Sequence, residues 1–381
     1  MKVVLPDVFV VADNIISPLG VTTAENFAQL KKGNSGIKLH QNNAFATQPF
    51  YAALFDKESA FQFSGNAEYT RFEQLLIASI ADTLKQSSVN PADKRTLLII
   101  STTKGNISLL ETEEYNQELQ KRMALTASAK LVAGHFGFVN QPLIISNACI
   151  SGIMAMVTGA RLIRAGQYDN VVIAGADVIS KFILSGFQAF QAISTEPCKP
   201  FDLNRDGITL GEGAAAVILS ATTNSPRAIK VGAGAISNDA NHLSAPSRTG
   251  EELAAAIKKS LGASAVAATA IDFISAHGTA TIYNDEMEAK AINLAGMQNV
   301  PVNSLKGYYG HTLGAAGLIE SVISIQSLKE NLLIPTSGFK ETGTTQPLNI
   351  YTGFLPGNFK ACLKTASGFG GCNAAILFTK Q

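Results

Sequence analysis

The sequence predicts an α/β protein with a largely parallel, buried sheet. Short runs rich in Val and Ile, bounded by Gly, Asn or Pro, alternate with longer runs of helical periodicity. Strands separated by helices of that length imply right-handed crossovers. A chain of 381 residues with 46% hydrophobic composition can also bury the core such a sheet requires. A third observation points to duplication: "QPLIISNACISGIMA" and "NVPVNSLKGYYGHTLGAAG" each read as a short buried strand, a polar loop and a helix opened by small residues.

Taken in order, "VVADNI" reads as an N-terminal strand, and residues 39–70, the least regular stretch, read as a loop excursion. In "RFEQLLIASIADTLK" the apolar residues Phe72, Leu75, Leu76, Ile80 and Leu84 recur at helical spacing and mark one buried face. "TLLIIST", "PLIIS", "NVVIAGA" and "AAAVILS" supply strands to the first half, and "RAIKVGAGAI", "IDFISA" and "ACLKTAS" to the second. Asn, Ser and Pro accumulate at residues 222–228, which places the junction there and divides the chain into residues 1–225 and 226–381.

Several function classes fall away on composition. A net charge of +1 gives no global field for nucleic acid or an anionic membrane surface. The first twenty residues interrupt their apolar stretch with Lys2, Pro6, Asp7 and Asp13, unlike a signal peptide, and no apolar run reaches membrane-spanning length. Cys149, Cys198, Cys362 and Cys372 form no CxxC pair, so the expectation is reduced thiols in the cytoplasm.

One of those thiols stands out. Cys149 lies between a strand-like run and a helical run, where the helix dipole and unpaired N–H groups are expected to lower its pKa. Its small neighbours Ala148, Ser151 and Gly152 leave room for a substrate carbonyl and for backbone N–H groups to approach an oxyanion. An isolated cysteine is as readily a small core residue, so its company decides. His277 in "SAHGTAT" follows the strand "IDFI", at the strand end where α/β sheets collect ligands. His311 in "SLKGYYGHTLGAAG" precedes a helix, five residues after Lys306. The two histidines lie 34 residues apart (311 − 277) without HxxxH or HxxE grouping, so no metal is expected.

With these motifs in place, the chain resembles the β-ketoacyl-[acyl-carrier-protein] synthases of the Cys-His-His type, the condensing enzymes of fatty-acid and polyketide synthesis. "SNACISG" resembles their nucleophile motif, "AHGTAT" and "KGYYGHTLGAAGLIE" the two histidine motifs, "PFDLNRDGITLGEGAAAVIL" the segment before mid-chain, and "SGFGGCN" the C-terminal glycine loop. The resemblance implies a thiolase-like fold, two duplicated halves stacked in five α-β-α-β-α layers, usually dimeric. It implies that Cys149 takes an acyl chain from a carrier protein, and that His277 and His311 act on malonyl carrier protein as it loses carbon dioxide. It further implies an oxyanion hole from the N–H groups of Cys149 and Phe369, with Phe369 also a mobile gate flanked by Ser367, Gly368 and Gly370. Lys306 and Glu320 would brace the histidines, and Thr279 and Thr281 would hold the phosphopantetheine arm. No free cofactor is implied. Lys121, Arg122 and Arg205 are candidate anchors for the acidic acyl carrier protein.

The departures from the family pattern are also informative. The N-terminal strand lacks its usual Gly-rich ending, Thr70 stands where aspartate is common, and the segment around residues 111–130 is short. Ser367 replaces a common phenylalanine, so the tunnel is expected to differ in width and to suit a rigid or unsaturated chain. The partner is then a second copy of the chain or a chain-length-factor-like homologue in a heterodimer making polyene or aryl-polyene chains. Thiolases and chalcone-type enzymes need a second cysteine or an asparagine where this chain has "GHTLG", and a non-catalytic chain-length factor would lack Cys149.

Overall fold

In a computed structural model of the protein, residues 6–41, 44–65, 68–226, 228–240 and 245–381 are described. Lys2 and the junction residue Arg227 lie outside them. The first half runs β1 (Phe9–Ile16), α1 (Arg71–Lys85), β2 (Thr96–Ser101), β3 (Leu143–Ile145), α2 (Ser151–Arg164), β4 (Asn170–Asp177), α3 (Lys181–Ala189) and β5 (Gly213–Ser220). The second runs β6 (Ile229–Asn238), α4 (Glu251–Ala263), β7 (Phe273–Ser275), α5 (Ile282–Leu294), β8 (Pro301–Asn303), α6 (Ala316–Glu330), β9 (Asn349–Ile350), β10 (Ala361–Gly368) and β11 (Cys372–Lys380).

The main sheet has eleven strands in the order β9-β8-β7-β10-β11-β6-β1-β5-β4-β2-β3. Its two halves, β3-β2-β4-β5-β1 and β8-β7-β10-β11-β6, repeat one order, and they join where Val10 and Phe9 pair with Ile229 and Lys230. The expectation of a largely parallel sheet is corrected. The outer strands pair parallel, but β4–β5–β1 and β10–β11–β6 are antiparallel, as are β1 and β6 to each other. The turn at Phe369–Gly371 joins β10 and β11 as a hairpin, and a hairpin imposes antiparallel pairing. Residues 39–70 are likewise not all loop, since Lys38–His40 and Phe50–Ala53 form a small sheet with Leu210–Gly211.

Helices α2 and α6 pack on each other between the two halves of the sheet, α1 covers one outer face, and α4 with α5 covers the other. These are the five layers. The central core gathers Ile153, Met156, Leu318, Ile319 and Val322, while Leu75, Ile80 and Leu98 fill one outer core and Leu253, Ile257 and Leu363 the other. Contact between the central helices depends on glycine at equivalent places in the repeat: a Cβ on Gly152 would stand 2.6 Å from Leu318 N, and one on Gly317 2.9 Å from Ile153 Cγ1. Gly152 is therefore small for helix packing, not to admit a substrate carbonyl. Thr70 starts α1, its hydroxyl accepting the N–H of Glu73 in a capping box.

Candidate active site

Cys149 sits on a sharp turn between β3 and α2. Ala148 takes φ 44°, in the left-handed region that costs a non-glycine residue energy. Ser151 holds the turn, its hydroxyl donating to Ala148 O at 2.6 Å and accepting from Asn147 N at 2.8 Å. Because α2 begins at Ser151, Cys149 lies just before its first turn. The expected lowering of the thiol pKa is overturned: burial pushes it up to about 12, with Lys306 pulling the other way. The resting sulfur is a neutral thiol.

Both histidines converge on it. His311 Nε2 stands 3.0 Å from Cys149 Sγ, and the His277 and His311 rings meet edge to face at 5.2 Å. His277 follows β7 on a backbone held by Glu288, whose carboxylate accepts the N–H of His277 at 2.8 Å and of Gly278 at 2.6 Å. Lys306 Nζ lies 3.3 Å from His277 Nδ1 and pairs with Glu320, which also meets Lys364 Nζ at 2.8 Å. An ammonium only donates, so Nδ1 accepts and the proton sits on Nε2, facing the cavity. Both imidazoles titrate well below their ordinary value, first through burial and then through Lys306, so both are neutral near pH 7.

Three potential ligand atoms, from Cys149, His277 and His311, lie within 4.8 Å of one another. The group does not fit a metal. Ligands of one tetrahedral zinc stand about 3.5 Å apart, wider than the 3.0 Å Cys149–His311 contact. A ligating histidine also gives its other ring N–H to an acceptor, whereas His277 turns that nitrogen to an ammonium donor.

Two cavities meet at Cys149. The larger, about 310 Å³, is lined by both histidines, Thr279, Thr281 and Ser367, and the smaller, about 260 Å³, by Ile183, Phe187, Phe190, Leu313 and Phe369. Phe369 touches both and packs on Phe187 at 5.8 Å and Phe190 at 5.7 Å. Gly370 and Gly371 follow it at φ 83° and 73°, backbone that glycine adopts freely. A Cβ on Gly368 would lie 2.9 Å from Cys149 N, so this glycine lets β10 back onto the nucleophile's amide. The Thr279 and Thr281 hydroxyls are 3.0 Å apart. Ser367 is buried and donates to Asn373 Oδ1 at 2.7 Å. It lines the larger cavity but not the apolar one, so its small size does not widen the latter.

Two of the three proposed carrier anchors are corrected. Arg205 is buried, donating to the carbonyls of Asp202 and Gly343, and Arg122 is spent on the buried carboxylate of Glu73. Lys121 is exposed and, among the described residues, pairs with Glu118 alone, at 3.3 Å. Sequence reading missed Lys364, Glu288 and Asp177. Asp177, at the end of β4, accepts Thr102 Oγ1 at 2.8 Å and Gly314 N at 2.7 Å, tying the loop after His311 to the first half. For Asp177 and Lys364 the signal available was an acidic or basic residue set in an otherwise apolar strand, "NVVIAGAD" and "ACLKTAS"; Glu288, on the polar helix α5, had none.

The fold is that of the thiolase-like ketosynthases. Residues 6–225 match the Beta-ketoacyl synthase, N-terminal domain, and residues 228–340 the Beta-ketoacyl synthase, C-terminal domain, so the chain belongs to the β-ketoacyl synthase family. Its curated relatives include the 3-oxoacyl-[acyl-carrier-protein] synthase 2 of Vibrio cholerae, 29% identical over 98% of this chain and 99% of the relative. That of Vibrio harveyi is 28% identical over 98% of each. Among solved structures, a ketosynthase in complex with its chain length factor from Xenorhabdus doucetiae superposes with TM-score 0.89 at 24% identity, over 99% of this chain and 98% of that one. The chain is an acyltransferase whose reaction is the decarboxylative Claisen condensation that yields a β-ketoacyl thioester. Among the described residues no helix is long and apolar enough to cross a membrane.

Proposed function

We propose that the chain condenses acyl and malonyl groups carried on the phosphopantetheine arm of acyl carrier protein, in the cytoplasm and without a free cofactor. Residues 1–225 supply the nucleophile and residues 226–381 both histidines. Cys149 Sγ attacks the acyl thioester; His311 Nε2, 3.0 Å away, takes the thiol proton and returns it to the departing arm. The N–H groups of Cys149 and Phe369 hold the oxyanion. Malonyl carrier protein then loses carbon dioxide, and the electron pair of the broken C–C bond forms an enolate whose oxygen is met by Nε2–H of His277 and His311. That enolate attacks the acyl-Cys149 carbonyl, and the Cys149 thiolate leaves and takes a proton from solvent to restore the resting thiol. The carrying observation is the difference between the two rings. Lys306 pins the His277 tautomer, whereas among the described residues His311 Nδ1 has no hydrogen-bond partner, so that ring carries its proton on Nδ1 while Nε2 accepts from the thiol and, after exchanging that proton with solvent, on Nε2 while it donates to the carbonyl. Thr279 and Thr281 contact the arm, Lys306 and Glu320 support His277, Phe369 gates the acyl cavity, and Lys121 remains the exposed anchor for the carrier. Intact-protein mass spectrometry after incubation with acyl carrier protein tests this: an acyl adduct on the wild type and none on Cys149→Ala is expected, and an adduct on the variant refutes the assignment.

A second reading has one observation in its favour. Phe182 and Phe190 line the apolar cavity yet are 55% and 61% exposed, so that cavity is walled by aromatic rings left for another subunit to cover. This supports either a homodimer or a heterodimer with a chain-length-factor-like homologue making polyene or aryl-polyene chains. Saturated, polyunsaturated and aryl acyl carrier proteins, tried with the protein alone and with candidate partners, separate the two. Efficient elongation of saturated chains by the protein alone would remove the second reading.

A further inference from the structure

Lys364 is a second buried cation beside the site, and no step above uses it. It lies on β10, fully buried, between Cys362 and Ala366, which face the central core against α6. A bare ammonium there is costly, and its contacts show what offsets the cost. Lys364 Nζ meets Glu320 Oε2 at 2.8 Å and donates to the carbonyls of Ser275 at 3.1 Å, Ala276 at 3.0 Å and Thr365 at 2.7 Å. Ser275 and Ala276 immediately precede His277, and Glu320 is the residue that pairs with Lys306.

We infer that Lys364 is a positioning residue for His277, fixing the imidazole from two sides. Through the Ser275 and Ala276 carbonyls it sets the backbone that carries the ring. Through Glu320 it sets where Lys306 stands, and so where Nδ1 is held. Glu288 completes the frame: it accepts the N–H of His277 and Gly278 and the hydroxyl of Thr365, the neighbour of Lys364. Burial pushes the pKa of Lys364 down while Glu320 holds it up. Its charge also adds to burial, Lys306 and His311 in keeping His277 neutral. None of its hydrogen bonds among the described residues reaches the Cys149 turn or His311, although its charge also helps to keep His311 neutral.

The inference rests on the reading that His277 acts in the malonyl half-reaction, and the test separates the two. Acyl loading, followed by mass, and decarboxylation of malonyl carrier protein, followed by carbon dioxide release, are measured on wild type, His277→Ala, Lys364→Met and Lys364→Gln. Lys364→Met is expected to load acyl groups within about twofold of wild type. Its decarboxylation kcat should fall roughly 10- to 100-fold, the scale on which small misplacements of a reacting group act, with KM for malonyl carrier protein unchanged. Lys364→Gln, whose amide can still donate to a carbonyl, should recover part of that loss, and it keeps the test in hand if the methionine variant does not fold. A purely structural lysine would lower loading and decarboxylation together. If His277→Ala abolishes decarboxylation while both Lys364 variants retain it, the positioning role is wrong. If His277→Ala itself decarboxylates normally, the underlying assignment of His277 fails instead.

Discussion

Replacing Lys306 with methionine removes a charge while keeping most of the side-chain stem, and the structure sets the size of the effect. Leaving a buried carboxylate without any partner typically costs about 3–5 kcal/mol. Glu320 is not left so, because Lys364 remains 2.8 Å from its other oxygen. What Lys306→Met loses is one charge-assisted bond and the donor to His277 Nδ1, so about 2–3 kcal/mol is expected. At about 2.1 cal/mol/K per residue, 381 residues give an unfolding entropy near 0.8 kcal/mol/K, and the expected fall in Tm is about 2.5–4 °C. Decarboxylation should fall further, roughly 10²- to 10³-fold, because the ring loses the contact that keeps its proton on Nε2. Differential scanning calorimetry and carbon dioxide release from malonyl carrier protein measure the two. An unchanged Tm with unchanged decarboxylation would refute the link from Lys306 to His277. A fall beyond about 6 °C would show that Lys364 does not compensate Glu320.

Gly368→Ala places a methyl 2.9 Å from Cys149 N and 3.0 Å from Cys372 Sγ, so it should cost about 1–3 kcal/mol and slow acyl loading; loading at the wild-type rate would show that β10 does not back the oxyanion amide. Because burial holds the Cys149 thiol up to about 12, its thiolate fraction rises about tenfold per pH unit below that value; iodoacetamide labelling followed from about pH 7 to 9 should climb without levelling, and a plateau near neutrality would mean a resting thiolate. Arg205→Met should lower Tm with KM for the carrier unchanged, because the side chain is buried, whereas Lys121→Glu should raise that KM and leave Tm alone; the reverse pattern would restore Arg205 as an anchor.

The strands and the chemistry were legible wherever local pattern decides them. "TLLIIST", "NVVIAGA" and "ACLKTAS" are strands within a residue or two, and "RFEQLLIASIADTLK" spans α1. Cys149 and His277 are marked by their places at strand ends and His311 by its glycine-flanked loop before a helix, and the structure brings all three together. What stayed hidden depends on contacts across the duplication. Nothing local to Gly152 tells that Leu318 fills its space, nor to Arg205 that Asp202 and Gly343 turn its guanidinium inward. β11 was read only as the end of a glycine loop, which is why the antiparallel centre of the sheet was missed. The thiol pKa was misjudged for a related reason: the helix start is visible in the sequence, but the protein packed around Cys149, which outweighs it, is not.

The division of labour between Cys149 and the histidines is tested most directly by following acyl adduct and carbon dioxide in one experiment on Cys149→Gln and His277→Ala. The glutamine amide stands where the acyl thioester would be, so Cys149→Gln should release carbon dioxide from malonyl carrier protein without ever gaining an acyl adduct. His277→Ala should gain the adduct and release roughly 10²- to 10³-fold less. Carbon dioxide release by His277→Ala at the wild-type rate, or none from a folded Cys149→Gln, would contradict the account.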